Sequence, residues 1–178
     1  MVLNTNRIAF FQLRLKKENQ NNKLKIAKKI QEICKDFKVK FIINDDPNLA
    51  KQANADGCHL GQNDMSIINA KKILRKKIIG VTCHNSINLA KIAKKKNADY
   101  IAFGAFNSTK TKKVKYKANI KIIEKFKKTS RIPVVAIGGV NNLNYKKLLL
   151  NKADFLAISG YVWNNKKLKP LEAIKLLK

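Results

Sequence analysis

The chain has 178 residues, 45% of them hydrophobic, a length and composition that suit a single domain spanning residues 1–178. Its formal charge is +28, from 39 Lys and Arg against 11 Asp and Glu, which raises the question of a nucleic-acid partner. The lysines, however, fall between apolar helix positions along the whole chain instead of forming one stripe. We therefore interpret them as solvated helix faces and predict no nucleic-acid partner.

The cysteines and the N-terminal segment bear on the cellular compartment. Cys34, Cys58 and Cys83 are odd in number and unrelated in spacing, which excludes a disulfide framework or a metal knuckle. The apolar run at residues 8–11 is too short for the core of a signal peptide or for a membrane span. We therefore predict a cytoplasmic protein without a membrane partner.

Apolar runs and helical periodicity alternate along the whole chain. Strands are predicted at residues 8–13, 39–43, 58–60, 78–81, 100–103, 133–137 and 155–158. Helices are predicted at residues 24–37, from 46–47 onward, at 66–74, from 85 or 86 to about 96, and at 119–128, 143–150 and 168–177. This order amounts to seven strand–helix units.

The predicted strands are apolar throughout instead of alternating, which is typical of parallel strands covered on both faces. Strands joined through helices pair in parallel and form either an open sheet or a closed barrel. No GxGxxG motif is present, and polar residues follow the strands, which favours a TIM-type (β/α) barrel. A full barrel needs eight units, so the sequence predicts an α/β barrel that lacks its first unit.

Two acidic spots stand out in this basic chain. Asn44 and Asp45 follow the second predicted strand, and Asp64 follows the third. The carboxyl ends of parallel strands point to one face, and Mg²⁺ is commonly held by one or two carboxylates together with phosphate oxygens. Asp46, which precedes Pro47, is a good helix cap, and this leaves Asp45 free for a metal.

Polar residues also follow the first and fourth strands. In QLRLK, alternate positions place Gln12, Arg14 and Lys16 on one strand face, where they suit a diphosphate or a polar ring. A charged strand end that faces water is an equal alternative. After the fourth strand, the Thr82 hydroxyl can donate to a diphosphate or a bound ring. His84 is either an acid–base group or, more often for a lone histidine, structural.

The remaining polar motifs suit phosphate. The segment STKTKK carries Thr109, Thr111 and Lys112 in the longest loop, either as a phosphate clamp or as a merely soluble loop. The sixth strand ends in AIGG, with Gly139, and the seventh in AIS, with Ser159. In barrels, the loops after the last two strands often form a phosphate site.

Together and in this order, QLRLK, ND, ADGCHLGQND, GVTCH, ADYIAFGA, TKTK, AIGG and AIS resemble the motifs of the thiamine-phosphate synthase family. The resemblance covers about residues 8 to 160, and ADGCHLGQND and the TxTK segment are its most specific parts. It implies a (β/α)₈ barrel and a Mg²⁺-dependent transferase that joins hydroxymethylpyrimidine diphosphate to a thiazole phosphate. The family has a further strand and helix before QLRxK, whereas only seven residues precede the first strand here.

The resemblance also implies roles for individual residues. Asp45 and Asp64 would hold Mg²⁺. The pyrimidine diphosphate would be bound by Gln12, Arg14, Lys16, Asn44, Thr82 and Lys112. The thiazole phosphate would be bound by Thr109, Thr111, Gly139, Ile158 and Ser159. The candidate catalytic groups are Arg14, Lys16, Thr82 and Lys112.

Two alternatives stay open at this point. One is a thiazole tautomerase of the same superfamily, which would rely on an acid–base group such as His84. The other is a non-enzymatic chain, either an inactive truncated barrel or a basic nucleic-acid binder. The sequence also leaves open a homo-oligomer, and whether the thiazole substrate carries an extra carboxylate.

Overall fold

The computed structural model describes residues 2–108 and 115–177, and these divide into two compact units. The first unit comprises Leu3–Val81 and Lys96–Ala98. The second comprises Thr82–Lys95 and the chain from Asp99 onward. The expectation of a single domain stays a prediction.

The first unit is a parallel sheet with helices between its strands, and its strand order is β1-β2-β3-β4. A short 3₁₀ helix at Val2–Thr5 precedes the first strand. The elements that follow are β1 Phe10–Leu13, α1 Gln20–Asp36, β2 Lys40–Asn44, α2 Pro47–Gln52, β3 Gly57–Leu60, α3 Ile67–Leu74 and β4 Ile78–Thr82. Thr82, the last residue of β4, belongs to the second unit.

The second unit repeats the same alternation, with parallel strands in the order β5-β6-β7. Its elements are α4 Ile87–Lys95, β5 Tyr100–Phe103, α5 Lys121–Lys127, β6 Val134–Ile137, α6 Tyr145–Leu150, β7 Phe155–Ala157, α7 Gly160–Trp163 and α8 Pro170–Lys175. The segment after β4 joins this unit through a backbone bond from Cys83 N to Ala102 O of 2.7 Å.

The helix termini follow the capping residues in the sequence. Asp46 accepts a hydrogen bond from Leu49 N, as predicted, and α2 begins at Pro47. Helix α1 begins four residues earlier than predicted, because Asn19 caps it by accepting from Asn22 N. The short helix α7 was not predicted, because its four residues are too few to show a period.

The inner strands are buried, whereas the outer ones are not. Every residue of β3 is buried, and Phe41, Ile42 and Ile43 of β2 are at most 1% exposed. In β1 and β7, by contrast, alternate residues are exposed, so the prediction that both faces of every strand are covered is wrong for these two. They are the first and last strands, and each pairs with one strand in its own unit.

One aspartate lies just before β3 and another just before β7, and each accepts a backbone hydrogen bond from the preceding strand of the sheet. Asp56, before β3, accepts from Phe41 N at 2.9 Å and from the Lys40 ammonium. Asp154, before β7, accepts from Val134 N at 2.7 Å and from Lys127. In each case the carboxylate satisfies the backbone of the preceding strand and pairs with a lysine, which fixes the start of the strand pair.

The Asp154 contact should be worth a measurable part of the stability. Asp154→Ala leaves the N–H of the buried Val134 and the Lys127 ammonium unpaired, so we expect the free energy of unfolding to fall by about 1–3 kcal/mol. Urea unfolding measures this loss. Lys127→Met, which keeps the bond to Val134, is the control and should cost less than about 1 kcal/mol. Equal losses in the two variants would show that the ion pair, not the backbone bond, carries the effect.

In the described part of the chain, no helix is both long enough and apolar enough to cross a membrane.

The three cysteines are buried free thiols, and burial raises the pKa of Cys34 to about 11 and that of Cys83 to about 12. These thiols therefore stay protonated at neutral pH.

Candidate functional site

A polar cleft of about 130 Å³ opens at the carboxyl ends of β1 and β2 in the first unit. It lies where the first two strands end and the chain turns toward α1 and α2, the end of the sheet at which parallel strand–helix folds place their chemistry. Its lining residues are Leu13, Arg14, Leu15, Lys16, Lys23, Ile43, Asn44, Asp45, Asp46 and Leu49.

Lys16, Asp45 and Asp64 form a small charged cluster at this end of the sheet. The Lys16 ammonium lies 2.9 Å from Asp45 Oδ2. The side chains of Asp45 and Asp64 are within hydrogen-bonding reach of each other. Three residues that follow three successive strands, β1, β2 and β3, are thus brought together, as the sequence predicted for the two carboxylates.

The two carboxyl groups have opposite pKa shifts. Burial acts to raise the pKa of Asp45, but hydrogen bonds from Lys16 and Asp64 and the charges of Lys16 and Arg14 outweigh it, so the pKa is lowered. The pKa of Asp64 is raised by the partial burial of its carboxyl group and by the neighbouring Asp45, against the hydrogen bond donated by Gly61 N. The opposite shifts show that the two carboxyl groups are close enough to influence each other, and that a further cation would favour ionisation of both.

The backbone holds both carboxylates in place. Asp45 takes a left-handed conformation, with φ of 69°, and its N–H donates to His59 O at 2.8 Å, which extends the pairing of β2 with β3. Asp64 Oδ2 accepts from Gly61 N at 2.7 Å. A Cβ at Gly61 would lie 2.9 Å from that oxygen, so a side chain there would require the Asp64 carboxylate to shift.

The structure also shows where the other predicted residues of this unit lie. Arg14 and Lys16 line the cleft, but they follow the end of β1 at Leu13, so the predicted strand alternation does not place them. Gln12 is exposed within β1. Asn44 ends β2 and lines the cleft.

Two residues in the cluster's surroundings were not predicted as functional. Gly61 holds Asp64, and His59 is buried in β3 with its backbone bonded to Asp45. Both belong to the motif ADGCHLGQND, in which a strand is predicted at residues 58–60. The signal for them is this motif, which is one of the most specific parts of the family resemblance.

The cluster suits a hard divalent cation whose remaining ligands come from substrate phosphates and water. Among residues 2–108 and 115–177, no group of three or more His, Cys, Asp or Glu side chains could hold a metal ion. Two adjacent carboxylates are the set with which Mg²⁺ is often bound when substrate phosphates and water supply the other oxygens. The donors present therefore fit Mg²⁺ better than a metal that needs a complete protein cage.

The second unit holds the remaining predicted residues that the structure describes. Thr82 is the last residue of β4, and Gly139 follows the end of β6. Ile158 and Ser159 follow β7, and the Ser159 side chain makes no capping bond to α7. Thr109, Thr111 and Lys112 lie outside the described residues.

Gly138 and Gly139 form a turn that only glycine can occupy. Their φ angles are 92° and 63°. A Cβ at Gly138 would lie 2.3 Å from that of Ala105, and one at Gly139 would lie 2.3 Å from Ser108 O. The segment of residues 105–108 is thus packed directly on the turn, and a side chain at either glycine would separate them.

Sequence comparisons identify the family to which these features belong. The family described as thiamine monophosphate synthase matches residues 2–162. A thiamine-phosphate synthase of Pelagibacter ubique (strain HTCC1062) is 67% identical over 178 residues, which is 100% of this chain and 86% of that protein. One of Nitrosomonas eutropha (strain DSM 101675 / C91 / Nm57) is 42% identical over 153 residues, or 85% of this chain and 72% of that protein.

Structural comparisons agree. A thiamine phosphate pyrophosphorylase from Pyrococcus furiosus superposes with a TM-score of 0.87 at 29% identity, covering 95% of this chain and 80% of that one. A 3-hexulose-6-phosphate synthase superposes with a TM-score of 0.73 at 17% identity, over 95% of this chain and 85% of that one, and supports the fold alone. The predicted TIM-type fold, with seven strands alternating with helices, is confirmed. The chain belongs to the thiamine monophosphate synthase family, a family of transferases.

Proposed function

We propose that this chain is a Mg²⁺-dependent thiamine-phosphate synthase that joins hydroxymethylpyrimidine diphosphate to a thiazole phosphate. The observation that carries the proposal is the meeting of Lys16, Asp45 and Asp64 beside the cleft of the first unit. The names of the relatives give the reaction class. The cluster gives a physical reason why a diphosphate would bind there.

The diphosphate would be held by the cations of the first unit. Arg14 and Lys16 both line the cleft, and guanidinium and ammonium groups bind phosphate oxygens well. The ammonium of Lys16 now pairs with Asp45, so it can turn from that carboxylate to a phosphate when a metal takes its place. Asp45 and Asp64 would hold Mg²⁺, which when bound supplies positive charge against the diphosphate.

The thiazole phosphate would be bound in the second unit. Gly139 presents backbone without a side chain, and backbone N–H groups in such turns bind phosphate. Ser159 has an exposed hydroxyl that does not cap α7. The family resemblance adds Ile158, Thr109 and Thr111 to this set, and Thr82 and Lys112 to the diphosphate set.

The reaction requires no nucleophilic side chain. The bond between the pyrimidine methylene carbon and the diphosphate oxygen breaks, and its electron pair leaves with the diphosphate. The electron-rich aminopyrimidine supports the positive charge that develops on that carbon. The lone pair of the thiazole nitrogen then forms the new C–N bond, which leaves the ring as a thiazolium. The protein's part is to bind both ligands and to stabilise the departing charge.

The test mixes the purified protein with hydroxymethylpyrimidine diphosphate, thiazole phosphate and Mg²⁺, and follows both thiamine phosphate and diphosphate. We expect equal amounts of the two products, formed only when both substrates are present. A chelator should stop the reaction, and added Mg²⁺ should restore it.

Other outcomes would contradict the proposal in different ways. Product that survives the chelator would refute the metal dependence alone. A folded protein that forms no product would refute the synthase. If that protein interconverts thiazole phosphate tautomers, the tautomerase alternative takes its place.

A further inference from the structure

His84, whose role the sequence left open, is stacked on an aromatic side chain of the second unit. The ring centroids of His84 and Tyr116 lie 4.3 Å apart, with an angle of 30° between the ring planes. Tyr116 is 48% exposed, so the imidazole covers part of a ring that otherwise faces solvent. His84 has a φ of 50°, in the left-handed region that histidine and asparagine tolerate better than most residues.

Backbone and side-chain hydrogen bonds join the segments that carry the two rings. His84 O accepts from Gly104 N at 2.9 Å, and Tyr116 O accepts from Ala105 N at 3.0 Å. Ala118 N donates to Ala105 O at 2.9 Å. The Asn85 amide donates to the carbonyl of residue 117 at 3.3 Å. The stack thus sits at one end of a bonded patch that runs from residues 84–85 through 116–118 to Ala105.

The patch continues to the glycine turn after β6. Phe106 N donates to Ile137 O, and Asn107 N donates to Gly138 O, both at 3.1 Å. Ala105 and Ser108 fill the space that a side chain at Gly138 or Gly139 would need. Ala105 therefore lies directly against the turn, and a shift of Ala105 would disturb the packing there.

We propose that His84 is a positioning residue: by stacking on Tyr116 it fixes residues 105–108 against the Gly138–Gly139 turn and so sets the affinity for the thiazole phosphate. This inference rests on the proposed function, which places that phosphate at Gly139. In this role the imidazole acts through the ring face that stacks on Tyr116. An acid–base role would instead depend on the ring nitrogens.

Four variants separate these roles. His84→Asn keeps a residue that tolerates the left-handed backbone but removes the ring. Tyr116→Leu removes the partner ring and leaves His84 intact, whereas Tyr116→Phe keeps the stack. We expect His84→Asn and Tyr116→Leu each to raise KM for the thiazole phosphate about three- to tenfold, with kcat within about twofold. The double variant should raise KM no further than the more impaired of the two single variants does. Tyr116→Phe should match the wild type.

A second readout does not depend on turnover. Hydrogen–deuterium exchange of the Ala105 and Ala118 amides, whose bonds join the patch, should be faster in His84→Asn and Tyr116→Leu and unchanged in Tyr116→Phe. If the wild type forms no thiamine phosphate, the proposed function fails, and isothermal titration with thiazole phosphate together with the exchange rates still decides the inference.

Two results would overturn the proposed positioning role of His84. A kcat lowered about 100-fold or more in His84→Asn, with Tyr116→Leu near the wild type, would assign His84 to proton transfer. If exchange rates and thiazole phosphate affinity are the same in all four variants as in the wild type, the stack does not influence the turn.

Discussion

Asp64→Asn is expected to lower kcat/KM by at least about 100-fold, because it removes a charged oxygen from the proposed Mg²⁺ site at the moment when diphosphate departs. The amide oxygen of asparagine can still accept from Gly61 N, so the loop should keep its shape. Asp64 is exposed, so the free energy of unfolding should change by less than about 1 kcal/mol. Initial rates measured over a range of Mg²⁺ concentrations, with the pyrimidine diphosphate at subsaturating concentrations, give the comparison.

The matched control is Asp36→Asn, the same chemical change at an exposed carboxylate in the last turn of α1. This variant should keep the rate and the Mg²⁺ dependence of the wild type. An Asp64→Asn enzyme that retains wild-type rates at every Mg²⁺ concentration would place the metal elsewhere. A rate that recovers fully at high Mg²⁺ would mean that Asp64 contributes to metal affinity and not to the stabilisation of the departing charge.

The fold was largely predictable because its signals are local. Predominantly apolar runs mark β2 to β6, and caps such as Asp46 and Ser66 mark helix starts within a residue or two. The exposure of β1 and β7 was not predictable in this way, since it depends on which strands lie beside them and not on their own composition.

The site was predictable in its members but not in its contacts. Asp45 and Asp64 could be paired from the rule that parallel strand ends share a face. The Lys16–Asp45 bond could not, because Lys16 follows β1 in irregular backbone whose course no periodicity reveals. Nor could the stack of His84 on Tyr116, which joins residues 32 positions apart in the chain.

His59 gives the second large prediction, a loss of stability in acid. It is buried in β3, and burial lowers the pKa of its imidazole to about 4, against the opposing charge of Asp45. In the unfolded chain, the imidazole has a pKa of about 6.5. Between these values the unfolded state binds a proton that the folded state does not, so the free energy of unfolding falls as pH falls from about 6.5 to 4. The full contribution of this one group is about 3 kcal/mol.

Comparison with His59→Gln isolates that contribution, since glutamine stays neutral and the carboxylates titrate alike in both proteins. Urea unfolding at pH 7 should show the variant less stable by about 1–2 kcal/mol, because the packing of the buried ring is lost. At pH 4 the wild type should be the less stable protein, because only in the wild type does the unfolded state bind a proton at residue 59 more readily than the folded state. A stability difference that does not change with pH, or an imidazole NMR signal of His59 that titrates near 6.5 in the folded protein, would contradict the assignment. Either result would mean that water or a carboxylate reaches the ring, and that the charged form is tolerated beside Asp45.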